Sequence, residues 1–128
     1  MARLNIEAYI VAHLASRLDG VTVRTRVPDP RPTRLVVVQR AGGRRLDSLR
    51  DRPGVHLLIY GGSEWETSEL ASEVADAMWA LNRSDRAMLD GIDRVDEEAL
   101  RSDPDTQTDP DTPRWFASYT ITTHRYPT

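Results

Sequence analysis

The chain has 128 residues, 39% hydrophobic and 29% charged, with a formal net charge of −3 at pH 7 and no cysteine. That is one domain's worth of chain with enough apolar content for an ordinary core, and the missing thiols exclude disulfides, thiolate nucleophiles and cysteine-ligated metals together. No apolar run approaches the roughly 18 residues of a membrane span, and the start Met1-Ala2-Arg3-Leu4-Asn5-Ile6-Glu7 has no signal-peptide apolar region, so a soluble protein without a membrane partner is expected.

In chain order, the first predicted element is a helix over residues 6–18. Ile6, Ile10, Leu14 and Leu18 recur every four residues, and Val11 and Ala15 widen the stripe. Asn5 is placed as its N-cap, Glu7 and Arg17 suit its two ends electrostatically, and Gly20 offers a left-handed stop. A strand follows over 21–27, with Val21, Val23 and Thr25 alternating against Thr22, Arg24 and Arg26. Pro28, Pro30 and Pro32 end it by fixing φ and removing three ladder donors.

The second strand, over 34–40, is built on Leu35-Val36-Val37-Val38. A continuous apolar run of this kind belongs to a strand covered on both faces, or to one whose outer face meets another subunit. Gly42-Gly43 ends it, and residues 44–54 hold too little periodic apolar content for a core, reading as a long loop or a hairpin arm. A third strand over 55–60 closes at Gly61-Gly62. Ser63-Glu64-Trp65-Glu66 then matches a capping box, so a second helix starts there and runs to about residue 82 on Leu70, Val74, Met78 and Leu81. A fourth strand is expected over 87–95, anchored by Met88, Ile92 and Val95. The last, over 114–125, alternates Trp115, Ala117, Tyr119 and Ile121 against Phe116, Ser118, Thr120 and Thr122.

The fold class is therefore α+β: a mainly antiparallel sheet with two helices packed on it, in the order α-β-β-β-α-β-β. One domain spans 1–128, with an Arg-rich loop at about 42–54 and an acidic, Pro-rich loop at about 102–113.

Charge is distributed unevenly along this order. Residues 1–54 carry 11 arginines against 5 acidic residues, whereas 55–128 carry 6 against 15, and all 17 basic residues are arginine. Guanidinium forks suit bidentate carboxylate pairing at interfaces. Either the two halves complement each other between neighbouring subunits of a head-to-tail ring, or both are solvated faces of one domain.

Catalytic signatures are missing from the sequence. His13, His56 and His124 show no short metal-ligand spacing, Ser63 lies in no Gly-x-Ser-x-Gly elbow, and a chain without lysine has no Walker-type loop. Asp103, Asp105, Asp109 and Asp111 offer oxygen ligands, but the third acidic position, the glycine and the late glutamate of an EF-hand loop are missing. The run reads as a solvated loop whose Asp-Pro pairs start turns and discourage edge aggregation. Arg40, Arg44, Arg45, Arg50 and Arg52 would neutralise phosphates, yet no aromatics interleave with them for base stacking.

Pro28-Asp29-Pro30-Arg31-Pro32, Leu35-Val36-Val37-Val38, Gly42-Gly43 and Pro113-Arg114-Trp115-Phe116 fall at matching places in a helix-strands-helix-strand order. In these features the chain resembles the tail-terminator (tail-completion) proteins of long-tailed bacteriophages, over nearly its full length. The resemblance implies structural work without catalysis or cofactor. Such proteins are similar to tail-tube subunits and form a sixfold ring on the head-proximal end of the tube. They stop its polymerisation and give the head's connector a docking surface.

The implied partners are further copies of the chain, the tail-tube protein and the head-tail connector or neck protein, with DNA only as cargo passing through the ring. The implied location is the virion tail, reached from the host cytoplasm during assembly. Arg40, Arg44, Arg45, Arg50 and Arg52, on a segment expected to project beyond the sheet, and Asp103, Asp105, Asp109 and Asp111 are the expected interface residues. Three other readings stay open: a neck component of the same particle, a small nucleic-acid binder working through residues 40–52, and a small enzyme, for which the sequence offers only the scattered His13, His56 and His124.

Overall fold

The computed structural model describes residues 4–124. Helix α1 spans Ile6–Arg17, with Asn5 Oδ1 accepting from the Ala8 amide at 3.1 Å. Strand β1 is Thr22–Arg24, β2 is Leu35–Arg45 and β3 is Arg50–Tyr60. Helix α2, Glu64–Trp79, opens on the predicted capping box, with Ser63 and Glu66 bonding reciprocally, and ends in a 3₁₀ turn over Ala80–Arg83. A short helix α3, Asp85–Asp90, leads into β4, Ile92–Ser102, and β5, Trp115–His124. Arg125, at the end of the predicted last strand, lies outside the described residues.

The five strands form one sheet in the order β1-β2-β3-β5-β4. Only β1 and β2 run parallel; the other three pairings are antiparallel, so the α+β expectation with a mainly antiparallel sheet holds. The strand latest in sequence sits between β3 and β4. Ile6, Ile10 and Leu14 of α1, with Leu70, Val74 and Met78 of α2, pack against Val36, Val38, Val55, Leu57, Ile59, Ala117 and Ile121 on one face of the sheet. Each such Val, Leu, Ile or Met side chain removed from water contributes about 1.5–3 kcal/mol.

All four residues of the apolar run in β2 are buried within the chain. Val36 and Val38 face the helices, while Leu35 and Val37 pack with Tyr60 and Leu58 on the other face. There Arg31 of the proline-rich segment lies 4.5 Å over the Tyr60 ring. The run is thus covered on both sides without a neighbouring subunit.

Three expectations are corrected. The predicted strand over 87–95 is divided: residues up to Asp90 form α3, and the strand begins at Ile92 and continues to Ser102. Met88 falls in α3, whereas Ile92 and Val95 stand in β4, where a register shift between Ile92 and Arg94 lets both be buried despite their spacing of three. Ser84 caps the Ala87 amide at 3.0 Å, Gly91 at φ 111° supplies the left-handed stop, and Met88 is 58% exposed rather than an anchor.

Gly42-Gly43 does not end β2. The register shifts between Arg40 and Gly43, and the strand continues to Arg45. Gly43 stands at φ 101°, and a Cβ there would lie 2.4 Å from the Pro53 Cα, so the bulge requires glycine. Residues 44–54 therefore form a hairpin arm, not a loop, and β3 starts at Arg50. No residue between 41 and 50 is buried; main-chain pairing holds the arm, which explains its missing apolar period. Its projection is also smaller than expected, because β5 accompanies β3 as far as the Arg50–His124 pair, leaving the turn at 46–49 to extend further.

Strand β1 is three residues long instead of seven, because it pairs only with 35–37 of β2; Val27 is 48% exposed.

Leu57 is fully buried between the helices and the sheet's centre, so Leu57→Ala lowers unfolding free energy by about 2–5 kcal/mol, read from urea denaturation. His13 of α1 donates from Nε2 to the Ala77 carbonyl oxygen of α2 at 2.7 Å. Burial pushes its imidazole below the ordinary 6.5, Arg17 adds to this, and the Ala77 bond opposes it. Below pH 6.5 the unfolded chain therefore takes up a proton that the native chain resists, and stability falls as pH drops towards the native value. Melting temperatures measured from neutrality down through that window should decline, with a flatter slope for His13→Gln.

Candidate functional site: two charged ends of one sheet

The basic candidates gather on the β2–β3 arm. Asp47 shapes its turn: its carboxylate accepts from the Leu49 and Arg50 amides at 2.9 and 2.8 Å and from Arg50 Nε at 3.0 Å. These bonds, the Leu49 amide first, hold the Asp47 carboxyl below the ordinary carboxylate range. Arg45 reaches the buried carboxylate of Asp51 at 3.9 Å, and Arg40 Nε donates to the Gly42 carbonyl at 3.4 Å. Arg44 and Arg52 lie directly opposite each other. Among the described residues Arg44 has no carboxylate partner, and the buried Nε of Arg52 has no hydrogen-bond partner. Like charges in that register repel, an arrangement that an external carboxylate would relieve.

The acidic candidates occupy the tip of the β4–β5 hairpin. An isolated bridge between Asp105 and Thr112 extends its ladder, and the Asp103 amide donates to the Arg114 carbonyl at 2.8 Å. Arg114 locks the tip from within: its Nε donates to the Asp103 main-chain oxygen at 2.9 Å, and its Nη atoms approach Asp103 and Asp105 at 3.2 and 4.0 Å. Asp105 Oδ1 also accepts from the Gln107 amide. Asp109 and Asp111 are exposed. Among the described residues no cluster of three His, Asp or Glu side chains forms a metal cage.

The structure keeps the two sets apart. The arm's turn lies beside the Arg50–His124 end of the β3–β5 ladder, and the acidic tip beside the Ile59–Trp115 end. Nine residues of strand separate them, roughly 30 Å at about 3.3 Å per residue. The arginines and aspartates predicted as one interface set therefore cannot meet within a chain. The three histidines are equally dispersed: His13 on α1, His56 edge-on to Phe116 at 4.9 Å, and His124 bonded to Asp93.

A family model described as phage tail termination protein matches residues 2–99. The chain belongs to that family. The match covers the helices, the basic arm and most of β4, while the acidic tip and β5 lie beyond it. Among curated proteins none matches the chain. For a tail termination protein the bacteriophage tail is the setting, and among the described residues no helix is long and apolar enough to cross a membrane.

Sequence reasoning missed two things about this tail-termination chain. Arg114 is no mere strand start, and its place opposite Asp103 emerges only once β4 and β5 pair. Trp65 and Trp79 stand 70% and 48% exposed on α2. Both fall off the Leu70–Val74–Met78 stripe, and that offset was the available signal.

Asp47→Ala should release the arm's turn while leaving the core intact. Hydrogen exchange at the Leu49 and Arg50 amides would quicken at least several-fold, with little change at Leu57.

Proposed function

We propose that this protein caps the head-proximal end of the phage tail tube as a ring of identical subunits, sixfold in the reading its resemblance implies. The ring stops tube polymerisation and presents the surface on which the head's connector docks. The observation that supports this reading is the axial polarity of the subunit: in a member of the tail termination family, basic and acidic hairpins stand at opposite ends of one sheet. A subunit with unlike ends suits head-to-tail association, which closes into a ring when the rotation permits.

The physical step is burial of the tube's growing end. The arm carrying Arg40, Arg44, Arg45, Arg50 and Arg52 is the contact to a neighbouring subunit or to the tube. The acidic stretch at 96–111, with Asp103, Asp105, Asp109 and Asp111, faces a neighbour's arginines or lines a channel whose negative surface lets DNA pass without sticking. No cofactor or catalytic group takes part.

Purified tail-tube protein polymerised in the presence of this protein tests the reading. Tubes should become shorter as its concentration rises, with one end closed in negative stain. The paired reversal Arg44→Glu with Arg45→Glu should remove the effect. Unchanged tube lengths with the wild-type chain would contradict termination.

A further inference from the structure

Helix α2 presents a second surface. Trp65, Glu69, Ser72, Asp76 and Trp79 follow one another at offsets of 4, 3, 4 and 3 and so share a face of the helix, all of them exposed. Three clefts run along this flank and join end to end: the first and second share Arg34 and Glu73, and the second and third share Arg17 and Asp76. Together they make a groove from Trp65 to Trp79, about 21 Å at about 1.5 Å per residue. Five acidic residues line it against three arginines, so its net charge is negative. Among the described residues Glu69 and Asp76 pair with no arginine, and Glu73 meets Arg34 only at 3.5 Å.

We propose that this groove receives the β2–β3 arm of a second copy of the chain. The arm has the complementary chemistry: Arg44 and Arg45 exposed along it, and Leu49 at its turn, 45% exposed, to set against a tryptophan. Among the described residues the outer edge of β2 has no partner strand past Val37, and residues 41–46, five steps or about 17 Å at about 3.3 Å per residue, would cover most of the groove. No arm residue lines the groove within one chain, so the contact is between molecules. Since arm and groove are different surfaces, the contact is heterologous and propagates head to tail. An acidic groove also relieves the repulsion between Arg44 and Arg52. This inference rests on the ring reading of the same arm and names the surface that the arm meets.

The cysteine-free chain makes the test clean. Leu49→Cys and Ser72→Cys are prepared as separate, differently tagged full-length variants, mixed and treated with a bis-maleimide whose reach of about 10 Å spans the seven residues from Ser72 to either tryptophan. A cross-linked pair containing one of each should form in the mixture, with neither variant cross-linking alone. Adding Glu69→Arg and Glu73→Arg to the Ser72→Cys chain should abolish the product, and adding Arg44→Glu and Arg45→Glu to its partner should restore it. A restored product shows that the reversed chains still fold. No mixed product, a product dominated by one variant with itself, or one indifferent to charge reversal would overturn the proposal. Tube capping retained without the cross-link would refute the groove contact alone, whereas a cross-link without capping would refute termination alone.

Discussion

Strand β3 is the constraint on which the rest of the structure depends. It pairs with β2 between Asp51 and Tyr60 on one side and with β5 between Arg50 and Ile59 on the other. Its alternate residues Val55, Leu57 and Ile59 are fully buried beneath the helices. One strand thus does two jobs: its middle anchors the core, and its two ends carry the hairpins on which charge accumulates. Because its period of two fixes which side chains face the helices, the arm cannot slip in register without exposing that core. Rigid pairing of this sort keeps the basic arm and the acidic tip a fixed distance apart.

Much of the fold was legible in the residues. The four-residue spacing of Ile6, Ile10 and Leu14 and the Ser63–Glu66 box located both long helices, since capping and amphipathic period are local signals. The arm was less legible because its stability comes from main-chain pairing across Gly43, where no side-chain period reports it. Helix α3 is masked in the sequence by Met88, an apolar residue that turns out exposed, although Ser84 and Gly91 carry its start and stop signals. The charged candidates were legible as charge and illegible as geometry. That the arginines and aspartates stand at opposite ends of the sheet depends on β5 inserting between β3 and β4, a long-range pairing that neither segment records by itself.

This separation gives a physical basis for a structural role. A charge cluster alone is a solvated surface, and exposed ion pairs add little stability. Two unlike clusters held apart on a rigid sheet are a different object, for they cannot meet within one chain, and the charges left over from the pairs inside each cluster are open to a neighbour. Electrostatic complementarity of this kind chiefly sets orientation and encounter rate, with apolar contacts such as those available to Leu49, Trp65 and Trp79 supplying affinity. A ring assembled this way would be sensitive to salt, as assembly intermediates formed through exposed charges generally are.

The most direct measurement is negative-stain microscopy of lysates from the encoding phage with this gene inactivated. The account predicts tails far longer than normal alongside unattached, DNA-filled heads. Tails of normal length that fail to join heads would instead place the protein in the neck, and intact infectious particles would contradict a role in tail termination.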